Sequence, residues 1–203
     1  MFGITDYPAF VLAVLVFLAI PGPGNLALFS ATHVGGFRAG VAAIFGVMAG
    51  DQVLLWLAVA GVAALITHYP EAFTLMQLGG AAYLVGVGYI MLKMELHGFP
   101  LLNLHPNRFF VQALVITLLN PKAILFYMAF FPLFIDPAAG QGYLTFGVMA
   151  LTIAVLTLLY GLVAVLLARR LSDWASHNPA AVQWLNRSAG VMLILFGLKL
   201  LLT

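Results

Sequence analysis

The chain contains no cysteine, which removes disulfide frameworks, thiol nucleophiles and cysteine-held zinc or iron–sulfur centres. Charge is nearly as scarce: 7% of the 203 residues are Asp, Glu, Lys or Arg, against 64% that are hydrophobic. A mean hydropathy of +1.12 means more apolar surface than one soluble core of this length can hide, so the chain reads as a membrane protein. Eight Lys and Arg stand against six acids, too few and too scattered to form an electrostatic footprint for nucleic acid. No GxxxxGK[ST] run occurs, which excludes ATP hydrolysis on a P-loop. His33, His68, His97, His105 and His177 fall at the ends of apolar runs or between them, with no HExxH pairing, and nothing supports a metal site. Paired carboxylates at mid-depth and a Ser/His couple are also missing. An enzyme is therefore not expected, and no cofactor is implied.

What the chain has is hydrophobic length. Apolar runs cover 8–33, 37–66, 73–92, 109–135, 143–167 and 188–202, and a bilayer crossing needs roughly 20 mostly apolar residues. The expectation is an all-α membrane protein of six transmembrane helices, a single domain over 1–203 with no room for a soluble one. Asp6 but no Lys or Arg precedes the first run, which therefore reads as a retained helix and not a cleaved signal. Arg38, Lys93, Arg108, Arg169, Arg170 and Arg187 lie in alternate connections, while 67–72 and 136–142 hold no Lys or Arg. Positive connections face the cytoplasm, which sets both termini outside.

The halves, about 1–95 and 106–203, echo one another. Pro23-Gly24-Asn25-Leu26-Ala27-Leu28-Phe29 aligns with Pro121-Lys122-Ala123-Ile124-Leu125-Phe126-Tyr127, and Gly80-Ala81-Ala82-Tyr83-Leu84 with Gly190-Val191-Met192-Leu193-Ile194. Three spans per half would insert the second half upside down, the inverted repeat of many secondary transporters, whose sites lie at the midplane on interrupted helices. The interruptions are visible: Pro21-Gly22-Pro23-Gly24 halfway along the first run and Asn120-Pro121 halfway along the fourth. Proline removes an amide donor and glycine frees the backbone, so the first break should unwind and a half-helix restart near Asn25. Asn120 reads as an N-cap with Pro121 at the first helical position. Two half-helix N-termini aimed at one centre would suit a carboxylate. The plainer alternative is that these prolines only kink their helices.

Asp51 and Lys122 are the ionisable acid and base at mid-depth. An isolated charge there costs on the order of 3 kcal/mol, so each must face the interior and find a partner. Asp51 would take a substrate ammonium or a transported proton, and Lys122 a substrate carboxylate; alternatively the two merely pair and close the bundle. Ala39, Ala43, Gly46 and Gly50 line one face for the close approach of another helix, from the same chain or from a second copy in a homodimer; the same chain is preferred. Gln52, Trp56, Tyr127 and Tyr160 are further cavity-lining candidates, each more commonly a packing residue.

The order Pro21-Gly22-Pro23, Gly50-Asp51, Asn120-Pro121-Lys122-Ala123 and an aromatic-rich run to Asp136-Pro137 resembles the LysE/RhtB amino-acid exporters across nearly the whole chain. Residues 46–70 and 119–136 look most like the leucine-efflux branch. The resemblance implies export of a small, mainly neutral amino acid across the bacterial inner membrane, in exchange for protons. It departs from the family where a polar residue often follows the second proline, a place held here by Gly24. Gly24, Asn25 and Lys122 are accordingly assigned to the substrate carboxylate, Asp51 to the ammonium or the coupling proton, and Asn120 to holding its half-helix. The rivals are an inorganic cation exporter, weakened by too few oxygen ligands, and a membrane scaffold subunit that transports nothing.

Overall fold

The computed structural model describes residues 4, 6–20, 22–68, 70–94, 102–130, 134 and 143–202. Its regular elements are helices: α1 (Tyr7–Ala19), α2 (Pro23–His68), α3 (Pro70–Lys93), α4 (Phe109–Leu118), α5 (Pro121–Leu125) running into a π-helical turn (Phe126–Phe130), α6 (Tyr143–His177) and α7 (Pro179–Leu202). Asp6 caps α1, its carboxylate accepting from the Ala9 amide at 3.0 Å. Helix α2 is two arms meeting at Gly36, whose φ of 68° and ψ of −162° only glycine adopts without strain. That corner, beside Arg38, separates the first and second apolar runs.

Among the described residues, the helices long and apolar enough to cross a membrane are Pro23–Gly61 and Leu144–Ala168, with a third if Phe109–Leu118 and Lys122–Met128, bent by 55°, form one broken span. Over Leu144–Ala168 helix α6 is apolar on its outer face and mostly apolar within. Leu144, Leu151, Leu159, Val163 and Leu166 are exposed on one side while Met149, Ile153, Thr157, Ala164 and Ala168 are buried on the other. A large apolar outer face of that kind fits a lipid solvent and not water.

Small residues set the packing. In the second arm of α2 the buried positions recur as Ala39, Ala43, Ile44, Val47, Asp51, Leu54, Leu55 and Ala58, a stripe of helical period. A Cβ on Gly46 would strike the Phe110 carbonyl and the Ala113 side chain, and one on Gly50 would lie 2.7 Å from Thr117. The glycine pair therefore serves contact with α4 of the same chain. Helices α3 and α7 cross through Gly88 and Gly190, where an added Cβ on either would lie 2.5 or 2.7 Å from the other's carbonyl. The core gathers α1, the second arm of α2, α5 and α6 around Phe10, Leu55, Tyr127 and Met149, and both arms of α2 with α4 and α6 around Ala31, Ile44 and Ala113.

Several sequence boundaries move. Helix α6 continues to His177 and α7 starts at Pro179, so Arg169, Arg170 and Arg187 lie on helices and not in a connection. At 1.5 Å per residue the 35 residues of α6 reach about 50 Å, well past the roughly 30 Å hydrocarbon core. The polar end can stay helical because it need not be apolar there. Residues 136–142 lie outside the described residues.

Candidate functional site

Residues from the two breaks line one cavity, and each break is built by local backbone hydrogen bonding. Helix α1 ends in an extended Ile20 (ψ 122°) whose amide still donates to the Val16 carbonyl. Its last carbonyls have no partner within the helix. Two side chains from elsewhere supply them. The Asn25 amide donates to the carbonyls of Leu18 at 2.9 Å and Ile20 at 3.1 Å. The Lys122 ammonium donates to Phe17 at 2.9 Å and Ile20 at 2.8 Å, and sits 4.5 Å from the centre of the Phe17 ring. A cation at the negative end of a helix is favourably placed.

Helix α2 restarts at Pro23, two residues before the expected Asn25, with proline at the first helical position where its missing N–H is harmless. The Leu26 amide donates to the Gly22 carbonyl, and the Gly24 and Asn25 amides stand in the first turn of the helix, where N–H groups point out of its end. Across the break, Asn120 is extended and its side chain accepts from the Lys122 amide at 3.0 Å, capping α5 behind Pro121. The expected cap is there. It occupies the Lys122 amide in the first turn of α5. Pro21 lies outside the described residues.

Asp51 is 2% exposed, held inward because it shares the buried stripe of α2. The Thr157 hydroxyl donates to it at a long 3.4 Å. The Tyr127 hydroxyl also neighbours it without closing a well-formed hydrogen bond. Lys122 acts on Asp51 through space, yet its ammonium is spent on α1, so the direct ion pair does not form. Gly24, Asn25, Asp51, Asn120 and Lys122 all line one cavity, joined by Thr117, Thr157 and Tyr160. Tyr160 stands beside the Asn25 side chain.

That cavity encloses about 30 Å³, room for a water molecule or two and not for an amino acid. Thr117 and Tyr127 each bury a hydroxyl with no hydrogen-bond partner, the kind of group a bound molecule or water completes. Among the described residues no group of three His, Asp or Glu comes together.

Of the other lining candidates, Tyr160 faces the cavity and Tyr127 faces Asp51. Gln52 instead donates to the Ala150 carbonyl at 3.0 Å, tying α2 to α6. Trp56 is 43% exposed on the outer face, where packing the stripe inward has turned it. Sequence reasoning missed Thr117 and Thr157, which carry no charge and break no helix. The signal available was Gly50, whose close approach brings Thr117 to the level of Asp51.

The family described as LysE type translocator matches residues 15–203 of this chain. An uncharacterized membrane protein of Pseudomonas aeruginosa is 32% identical over 98% of this chain and 95% of its own length. A leucine efflux protein of Klebsiella pneumoniae is 30% identical over 98% of this chain and 96% of its own. Another leucine efflux protein, from Enterobacter sp., is 35% identical over 78% of this chain and 77% of its own. No solved structure matches the chain.

Proposed function

Because the chain belongs to the LysE type translocator family, membrane transporters and not enzymes, we propose that it exports small, mainly neutral amino acids of the leucine kind across the bacterial inner membrane in exchange for protons. The observation that carries this reading is the meeting of two interrupted helices at a cavity lined by one buried acid, one ammonium and the first turn of α2. A zwitterion needs those groups: amides and a cation for its carboxylate, carbonyls or an acid for its ammonium. The Gly24 and Asn25 amides receive the carboxylate with Lys122 swinging to it, Asn120 fixes the backbone beneath Lys122, and Asp51 takes up and releases the coupling proton.

The inverted repeat is part of the same proposal. Helices α1 and α4 both stop at the breaks in their apolar runs, and α2 and α5 both restart with proline. Helices α3 and α7, each 24 residues long, close the two halves against one another. Such a relation supports alternating access by rocking one half on the other. The scaffold reading is disfavoured because Lys122 turns away from Asp51, leaving the acid unpaired where a closing ion pair would have neutralised it.

The test is uptake of labelled leucine into inverted membrane vesicles with and without an imposed pH gradient. We expect gradient-stimulated uptake by the wild type and none by a well-inserted Asp51→Asn variant, since an amide cannot charge and discharge. Near-normal stimulated uptake by Asp51→Asn would sink the coupling role, and no leucine uptake by the wild type would sink the substrate.

A further inference from the structure

We propose that the C-terminal end of α1, formed by the Phe17 and Ile20 carbonyls and the Phe17 ring, is the subsite for the substrate's ammonium, and that Lys122 occupies it in the empty transporter as a tethered stand-in. The inference rests on the amino-acid reading above and deepens it. The occupant there is a primary ammonium already: Lys122 Nζ donates at 2.9 Å to Phe17 and 2.8 Å to Ile20, 4.5 Å from the centre of the Phe17 ring. Two carbonyls, a negative helix end and an aromatic ring recognise the –NH₃⁺ group itself, whatever chain carries it. An amino acid presents the same group on a short stem.

The carbonyls of α1 cannot stand empty. Asn25 serves Leu18 and Ile20, but Phe17 has Lys122. If Lys122 leaves without replacement, a carbonyl deep in the membrane loses its donor, a costly loss. A substrate ammonium arriving as Lys122 departs makes the exchange one for one. The backbone of Lys122 is pinned by Asn120, while its four-carbon stem lets the head pivot. Gly22 leaves it space, for a Cβ there would stand 3.3 Å from Nζ. The neighbouring groups are Gly24 and Asn25 in the first turn of α2, where the substrate carboxylate would lie against the helix N-terminus. A zwitterion therefore displaces the lysine from one end of the cavity and supplies it with a counterion at the other. A bare amine displaces it but offers nothing in return. Selectivity for amino acids over amines follows from that difference, without any contact to the side chain.

Isoamylamine, the leucine skeleton without its carboxylate, is the probe. Binding is read as the rise in unfolding temperature of the purified full-length protein with leucine, isoamylamine or sodium chloride. The wild type should respond to leucine and scarcely to the amine. In Lys122→Met and Lys122→Gln the stand-in is gone, and the amine affinity is expected to rise by about tenfold or more, the worth of a hydrogen bond to a charged group, while leucine affinity falls. Amine affinity unchanged or lower in both variants overturns the proposal, as does a response to sodium that equals the amine's. Should a lysine variant not fold, Phe17→Leu is expected to weaken leucine binding and Phe17→Tyr to recover it; leucine affinity indifferent to the ring overturns the subsite. A wild type that ignores leucine while the lysine variants gain the amine would leave the subsite standing and remove the leucine reading.

Discussion

At the scale of single residues, the centre is built from groups whose burial is incomplete as chemistry. Tyr127 is 1% exposed with an unpartnered hydroxyl, a penalty of about 1–3 kcal/mol that a purely structural residue has no reason to carry. Tyr127→Phe removes it, so the unfolding temperature should hold or rise. If the hydroxyl attends Asp51 during the cycle, gradient-driven leucine export should nevertheless drop several-fold; wild-type export would make the tyrosine a packing residue. The two glycines of the first break also separate. A Cβ on Gly24 meets nothing within 4 Å, whereas one on Gly22 meets Lys122. Gly22→Ala is therefore expected to impair export more than Gly24→Ala, measured on matched amounts of inserted protein. The reverse order would mean that the backbone approach to the ligand, and not the lysine's freedom, is what glycine protects.

Elements are fixed by how closely their backbones approach. Gly46 lies against the Phe110 carbonyl of α4, so a branched side chain there must push the helices apart. Overpacking of this sort costs typically 1–3 kcal/mol, and because α4 carries the Asn120 break at its end, the cost reaches the site. Gly46→Val should lower the yield of folded protein and the unfolding temperature, while Gly61→Ala, with nothing within 4 Å of its added carbon, should leave both unchanged or slightly improved. Equal behaviour of the two would mean that α2 and α4 do not pack tightly in the membrane. The length of α6 belongs to this scale too: composition marks where a helix leaves the hydrocarbon, not where its hydrogen bonding stops.

For the whole molecule, orientation is an expectation drawn from charge. Arg38 stands at the corner at Gly36, Lys93 and Arg108 at helix ends, and Arg169, Arg170 and Arg187 on the helices either side of Asn178. Accessibility tags are expected to place the residues near Arg38, Lys93 and Asn178 in the cytoplasm and both termini outside. Asn178, the single residue between α6 and α7, takes the third tag. A cytoplasmic N-terminus would overturn the orientation.

The sequence by itself determined the solvent and the punctuation. Scarcity of charge and runs of apolar residues select a membrane, because burial of so much apolar surface has no other outlet. Proline and glycine at 21–24, and Asn120 before Pro121, mark the breaks because their backbone chemistry is local: Pro23 and Pro121 begin helices for the same reason wherever they stand. Asp51 was legible because charge within an apolar run must turn inward. Only the tertiary structure decided where Lys122 points. Its ammonium could satisfy Asp51 or the carbonyl end of α1, and the choice depends on distances between helices more than 100 positions apart in the chain, Lys122 to Phe17 among them. The same holds for Asn25, which spends its amide on α1, and for Thr117 and Thr157, ordinary threonines until packing at Gly50 and along α6 brings them to the acid.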